Sequence, residues 1–514
     1  MESQRRLTVN YGLRWELLPP FQDVNGIAAN FDPRTNTVII PDVLTTGLGA
    51  APAFLQSFNA CSLPNRDMSL PCSNLETASQ AHLPQGLRQT YMRNFDPRIG
   101  IAYRPFGDNK TVLRAGFGIF TVTNLGQLQN NLESTPQASV HTYQNQILNG
   151  TALIQFPQTI AASQLVQLGG GTIEQAIDPR YRDPQSAQWN VTVERELTPD
   201  TALRASYVGM NSYRLNVTVN LNQIAPSSLP YVPSPFVDPR APFQNWGTMY
   251  STENLGGANY QAMEVEATHR MSRGLYFVAN YTWAHNISDA QGDAPTGFQG
   301  ETRYGLADLN RFDISRNRGN VAGTRRQRVL LTGTYDLPFG QGRRWSSSSR
   351  ILAGVLGGWS VNTITLLETG PYLTPTISPN LDQTNTNPVA DGSIVRPDIV
   401  GNPIPSHQTP NQYFNINAFV PTSVGAARVG NAGVGILEAP GTVAVSAGLS
   451  KAMAIREKLH LRFEATFTNV FNHTNYAPPA TNVSNPATFG VLDAAQTAEN
   501  AGNRTGQLAL RLDF

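Results

Sequence analysis

Two cysteines carry the most pointed chemistry in this chain. Cys61 and Cys72 are its only two, and they bracket a polar stretch, Cys-Ser-Leu-Pro-Asn-Arg-Asp-Met-Ser-Leu-Pro-Cys. Thiols this close in a loop suit a disulfide formed in an oxidising compartment, whereas a metal site needs further ligands and none stands nearby. Two unpaired thiols are the alternative reading. Elsewhere the chemistry is thin. The chain has no His-Glu-x-x-His, Gly-x-Ser-x-Gly, phosphate-loop or Cys-x-x-Cys pattern, so no catalytic residue, metal ligand or cofactor site is expected. Its seven histidines are dispersed, and His269, His285, His460 and His473 read as polar loop or strand residues. Glu264 and Glu266 have a spacing open to acid/base work, but no partner converges on them and the polar face of a strand explains them. Gly169-Gly170-Gly171 reads as a flexible linker. Arg325, Arg326 and Arg328, and Arg343-Arg344 near the serine run 346–349, read as solvated charge, with a charged belt at a membrane interface as the second reading. Trp246, Tyr250, Tyr413, Phe414 and Phe419 stand in long connections, where they would pack a loop together or stack on a ligand.

The elements that must position these residues are strands. In the first, Leu7, Val9, Tyr11, Leu13 and Trp15 oppose Thr8, Asn10, Gly12, Arg14 and Glu16. Period-two alternation of this kind gives a strand one apolar and one polar face. It recurs at 111–121, where Leu113, Ala115, Phe117 and Ile119 share a face, and at 186–196 with Ala187, Trp189, Val191 and Val193. Further regular cases are 274–284 and 459–467. Less regular strands are expected near 95–105, 201–209, 260–269, 328–336, 358–368 and 441–450. The chain ends on the same pattern, with Leu508, Leu510 and Leu512 apolar and Phe514 last of all. Soluble domains seldom finish this way because termini fray, whereas the closing strand of a transmembrane β-barrel places a final aromatic in the girdle at the membrane interface.

Connection lengths sharpen the reading. Tight links at 106–110, 197–200, 270–273 and 451–456, with a moderately longer one at 337–357, alternate with long Pro-, Asn-, Gly- and Ser-rich segments at 17–94, 122–185, 210–259, 285–327, 370–440 and 471–505. Compact soluble domains rarely hold so many long loops, while outer-membrane barrels put short turns on the periplasmic side and long loops outside. A soluble sandwich or propeller explains neither this alternation nor the terminal Phe, and no near-constant repeat is present. Charged residues make up 14% of the chain, well under the roughly 25% of soluble domains. No apolar run approaches the roughly 20 residues of a membrane helix. A formal net charge of +1 gives no electrostatic case for nucleic acid. The expected fold class is all-β: a transmembrane antiparallel β-barrel of about twelve strands with long extracellular loops and short periplasmic turns. Met1 to Arg6 lead into the first strand with no apolar signal segment, so targeting lies upstream or the protein stays inside the cell.

Several segments, taken in order, resemble the carboxyl-terminal barrel of Oar-like TonB-dependent outer-membrane receptors. They are Phe95-Asp96-Pro97-Arg98-Ile99-Gly100-Ile101-Ala102-Tyr103, Phe106-Gly107-Asp108, Arg114-Ala115-Gly116-Phe117-Gly118-Ile119-Phe120, and Gln188-Trp189-Asn190-Val191-Thr192-Val193-Glu194-Arg195-Glu196-Leu197. Ser206-Tyr207-Val208-Gly209, Tyr335-Asp336-Leu337-Pro338-Phe339-Gly340 and Phe467-Thr468-Asn469-Val470-Phe471-Asn472-His473-Thr474-Asn475-Tyr476 continue the match. The resemblance implies energy-coupled import of a scarce nutrient, an oligosaccharide, peptide or metal chelate. It implies as partners the lipid of the outer membrane, the barrel assembly machinery, the TonB complex and an unknown nutrient ligand. Residues 1–514 would be the carboxyl-terminal part of the barrel, because the plug, the amino-terminal domains and the TonB-contacting motif of such receptors are absent from the sequence, as is roughly half of a barrel of about 22 strands. A non-transporting outer-membrane adhesin or assembly protein is the rival from another class, and a secreted carbohydrate-binding or enzymatic β-protein is the third.

Overall fold

Alternating side chains let one strand meet two environments, and the chain builds a whole wall from this device. The computed structural model describes residues 6–24, 26, 28–42, 55–56, 58–122, 132, 147–148, 151–152, 171–229, 239–290, 312–340, 343–345, 349–378, 395–423, 425–456, 459–497 and 501–513. Twelve strands make the wall: β1 Leu7–Glu16, β2 Asn94–Tyr103, β3 Thr111–Thr121, β4 Gln185–Thr198, β5 Thr201–Asn220, β6 Trp246–Ser272, β7 Leu275–Ser288, β8 Gln327–Asp336, β9 Trp359–Glu368, β10 Thr442–Arg456, β11 Leu459–Thr468 and β12 Thr505–Asp513. Each is antiparallel to the next, in chain order from β1 to β12 with no crossover. Gly171–Ile177 adds to the margin parallel to β6, and Gly319–Asn320 pairs with β7.

Among the described residues, no strand pairs with the outer edge of β1 or of β12. The strand that carries Leu508, Leu510 and Leu512 is therefore hydrogen-bonded to β11 on one side only, and Phe514 lies outside the described residues.

Register turns twelve separate alternations into two continuous faces. Val9 stands opposite Ile101, Ile101 opposite Ala115, Ala115 opposite Val191, Val191 opposite Tyr207, and the row continues through Met263 to Trp283. At the other end Val361, Leu449, Ala465 and Leu508 line up in the same way. Much of this apolar row is open to the surroundings, Val191 at 52% and Leu508 at 70%. The opposite face is polar, and Thr192 and Ser206 are buried there with their hydroxyls 3.0 Å apart. Arg114 reaches Glu194 at 3.3 Å and Arg204 reaches Glu266 at 3.0 Å, so Glu266 belongs to a charge-paired lining. An apolar outside and a polar, charge-paired inside are what a lipid-embedded β-wall requires.

Short and long connections fall on opposite rims. The turn rim carries 104–110, 199–200, 273–274, 337–358 and 457–458, and the loop rim carries 17–93, 122–184, 221–245, 289–326, 369–441 and 469–504. At the β6–β7 turn Arg273 (φ 51°) and Gly274 (φ 86°) are both left-handed, the pattern of a two-residue turn that matches strand twist. Several boundaries differ from the sequence reading. Segment 451–456 belongs to β10, and residues 457–458, between it and β11, lie outside the described residues. Strands β5 and β6 also run well past 209 and start well before 260, because above the membrane both of their faces meet protein and the two-residue alternation that marks a strand disappears.

The described parts of the long connections are packed around shared cores. Those near the start of the chain fold around one core in which Trp246, 1% exposed, stacks on Phe58 with ring centroids 5.1 Å apart and meets Phe31 edge-on at 5.8 Å. Its indole Nε1 donates to Ser73 Oγ at 2.8 Å, and Asn245 Nδ2 donates to the same oxygen at 2.8 Å and to the Phe58 carbonyl at 2.7 Å. Connections late in the chain gather around Phe414, Phe419, Leu437 and Phe489. Trp246, Phe414 and Phe419 thus pack loops and are not open to a ligand, while Tyr250 and Tyr413 are half-buried.

Cys61 and Cys72 are joined, with S–S 2.11 Å, beside the first core, where the Cys61 amide donates to the Ser73 carbonyl at 3.0 Å. A bridge across so short a loop contributes about 3 kcal/mol on the chain-entropy account, most of it local to the loop body. Thiol labelling of unreduced protein is expected to modify neither cysteine, and reduction should expose both.

An arginine- and tyrosine-lined recess as candidate functional site

Two segments 90 residues apart in sequence approach each other on the loop rim, one leading into β2 and one into β4. The second reads Asp178-Pro179-Arg180-Tyr181-Arg182-Asp183-Pro184, a motif fenced by prolines that cannot continue a ladder. Between them lies a recess of about 330 Å³ lined by Gln89, Thr90, Tyr91, Arg93, Arg180, Tyr181 and Arg182.

Buried hydrogen bonds hold the two segments together. Asn30, 2% exposed, donates through Nδ2 to the carbonyls of Leu87 at 2.9 Å and Ile177 at 2.8 Å, and its Oδ1 accepts from the Ile177 amide at 3.0 Å. The Gln89 amide adds a bond to the Pro179 carbonyl at 2.8 Å. Tyr181 forms the floor: its ring packs in a core with Ile39, Leu87 and Ile177, and its hydroxyl donates to Asn216 Oδ1 at 2.7 Å. Burial pushes that phenol up to about 12, so it stays a neutral donor. Backbone bonds from Arg180 to Asp178 Oδ1 (2.9 Å) and from Arg182 to Asn254 Oδ1 (2.7 Å) aim the two flanking side chains outward.

The electrostatics are cationic. Arg93, Arg180 and Arg182 are exposed at the mouth. Arg88 is buried beneath, its guanidinium 5.2 Å from the Tyr181 ring centroid, and burial lowers its pKa. Arg214, held at φ 60° by an irregularity in β5, lies 5.1 Å from the Tyr91 centroid and 5.0 Å from that of Tyr213. Against these five arginines stand Asp178 and Asp183. Burial raises the pKa of Asp183, opposed by the hydrogen bond from Asn94 at 2.6 Å and by Arg88 and Arg214. A guanidinium presents a planar fork of donors that fits carboxylate or phosphate, and tyrosine rings add stacking surface. The recess suits an anionic solute that carries flat groups.

The arginines singled out in the sequence behave differently. Arg325 and Arg328 lie 3.0 and 3.8 Å from the buried Glu368, and Arg326 lies 3.3 Å from Glu438, so this cluster ties β8 and β9 to the loop body above them. Arg343 meets Asp336 at 3.4 Å on the turn rim. Among the described residues no group of three His, Cys, Asp or Glu side chains is placed to hold a metal ion, and no helix is long and apolar enough to cross a membrane. Sequence reasoning missed the recess because its arginines are separated in the chain and look like solvated loop charge; the repeated Asp-Pro fence around Arg-Tyr-Arg is the one local signal.

The comparisons with known proteins bear on the wall. No curated protein sequence matches the chain. Among solved structures, the outer membrane transporter YddB from Escherichia coli is similar at a TM-score of 0.40 and 10% identity, covering 83% of this chain and 41% of that one. The siderophore receptor PiuA from Acinetobacter baumannii follows at 0.36 and 11%, covering 82% and 36%. The ferric preacinetobactin receptor BauA, also from Acinetobacter baumannii, gives 0.35 and 9%, covering 83% and 37%. The chain thus spans well under half the length of these structures. The sequence model of the outer membrane beta barrel domain matches residues 3–507, from the first wall strand into the last. A wall of sequential antiparallel strands, apolar outside and charge-paired inside, and a match along almost all of its length place the chain in the outer membrane beta barrel domain family, seated in the Gram-negative outer membrane.

Proposed function

We propose that this chain is the wall and the capturing loops of an Oar-like, TonB-dependent receptor that takes up an anionic solute, a metal chelate or acidic peptide in preference to a neutral oligosaccharide. The observation that carries this reading is the recess: Arg93, Arg180 and Arg182 with Tyr91 and Tyr181 line a preformed opening on the rim where outer-membrane barrels face the exterior, and Arg88 and Arg214 lie against the two rings. Folded, disulfide-bonded loops suit recognition of a small solute, and the polar, charge-paired inner face suits a passage or a plug surface. In this reading the outer edges of β1 and β12 join further strands, and the plug and the TonB-contacting segment belong to other parts of the receptor.

The test uses cells that make the complete receptor, with radioactive ferric citrate as the anionic probe and maltotriose as the neutral one. Saturable surface binding is expected for ferric citrate only. The Arg180→Ala/Arg182→Ala variant should bind it at least about tenfold more weakly, since a hydrogen bond to a charged group contributes about 1.5–3 kcal/mol. A protonophore should stop accumulation and spare surface binding. Accumulation that ignores the protonophore would refute energy coupling; equal binding of both probes would refute the anionic class. Neither binding nor uptake, with adhesion of the cells to a surface lost in the same variant, would favour the adhesin reading.

A further inference from the structure

The turn rim holds a feature that the receptor reading does not use. The link 337–358 between β8 and β9 contains a short helix, α1, Arg350–Leu356, capped by Ser349 Oγ, which accepts from the Leu352 amide at 3.4 Å. Its side chains are turned away from the protein: Ile351 is 79% exposed, and Leu352, Val355 and Leu356 are each about half exposed or more. Four large aliphatic side chains on one short helix would be an unusual choice for a surface bathed in water.

What fastens α1 to the wall is Lys451. This residue falls on the apolar outer row of β10, between Trp359 of β9 and Phe463 of β11. A bare ammonium there would face lipid. Instead Lys451 is 7% exposed, and its Nζ donates to the carbonyls of Gly354 (2.9 Å), Val355 (2.7 Å) and Gly357 (2.8 Å) at the carboxyl end of α1. Its charge sits where the helix dipole is negative, and all three of its protons have acceptors. Trp359 adds a bond from Nε1 to the Val355 carbonyl at 3.0 Å, and its ring lies 4.8 Å from the ammonium. Gly358, at φ 74°, lets the link pass close to β10, since a Cβ there would stand 2.4 Å from the Ala452 carbonyl oxygen. The helix is thus pinned on the outside of the wall, next to the lipid-facing row, with its apolar side chains left exposed.

We propose that α1 is a membrane-interface foot, its occupant the phospholipid of the periplasmic leaflet. Ile351, Leu352, Val355 and Leu356 enter the boundary between headgroups and acyl chains, and the exposed Arg343 and Arg344, with Trp345 beside them, meet the headgroup phosphates. Two observations choose lipid over a soluble partner. The apolar face continues the established lipid-facing row through Trp359 and Lys451, and an Arg-Arg-Trp sequence precedes the apolar residues, the order expected of an interfacial anchor. The foot would set the height of the wall in the bilayer at the point where β8 and β9 meet.

The test uses the full chain reconstituted in vesicles of phosphatidylethanolamine and phosphatidylglycerol. Nitroxide labels are placed on single added cysteines, Ile351→Cys, Val355→Cys and, as references, Val191→Cys on the lipid row and Val400→Cys in an exposed loop. Collision rates with oxygen, which concentrates in acyl chains, and with a water-soluble nickel chelate report depth. At 351 and 355 the oxygen-to-nickel ratio should resemble that at 191 and exceed that at 400 several-fold. Lys451→Met should bring the ratios at 351 and 355 toward the loop value and leave 191 unchanged. Loop-like ratios at 351 and 355 beside a lipid-like 191 would overturn the foot without touching the membrane placement of the wall. If Lys451→Met does not fold, the ratios in the parent chain decide alone.

Discussion

Val191→Arg should prevent most of the chain from folding into bilayers, while Asn190→Arg, one residue away, should fold nearly as the parent does. Val191 lies near the middle of β4 on the lipid row, between Ala115 and Tyr207. A guanidinium at that depth costs about 2–4 kcal/mol, because no water or counter-charge is available on that face. Asn190 points to the polar face with Gly116 and Val208 as its cross-strand neighbours, and a charge there joins an existing ion-paired lining. The fraction that migrates as a compact, heat-modifiable band after refolding into vesicles measures both. Equal yields would mean that the apolar row does not face lipid.

The second large effect is expected at Trp246. Trp246→Ala removes a buried indole stacked on Phe58 and bonded to Ser73, a loss of about 3–5 kcal/mol for a large aromatic. The loss falls on the loop body and not on the wall. Limited proteolysis should therefore cut within 55–90 in the variant under conditions that leave the parent whole, while the band shift that reports the wall persists. Trp246→Phe should recover part of the protection, since the ring stays and only the bond to Ser73 goes. Unchanged protease resistance in Trp246→Ala would show that the loops are not organised around this side chain.

The wall was legible in the sequence because each lipid-crossing strand must alternate. Leu7 to Trp15 and Leu459 to Phe467 state their own geometry, and the alternation of connection lengths supplied the two rims. Above the membrane that constraint lapses. Val217 and Val219 of β5 are buried while Asn216, Thr218 and Asn220 are buried too, so nothing in the local pattern marks a strand. Trp246 reads from the sequence as a loop-packing residue with stacking on a ligand as the second reading, and its contacts with Phe58 and Phe31, far upstream in the chain, decide for packing. The recess was hidden for the same reason, as Arg180 and Arg182 acquire meaning only beside Tyr91 and Arg93. Lys451 was invisible as an anomaly until the register put it on the apolar row.

Asn30 has a kinetic consequence. A single amide spans Leu87 and Ile177 and keeps both walls of the recess at a set separation before any solute arrives. The conformational entropy of ordering those segments is spent during folding, so it is not charged again against each binding event. Preorganised sites bind without waiting for a loop to close, and their association rates approach the limit set by encounter, which cationic steering raises further at low ionic strength. A solute captured here would owe its residence time to the arginine forks and its speed of arrival to a buried asparagine that it never touches.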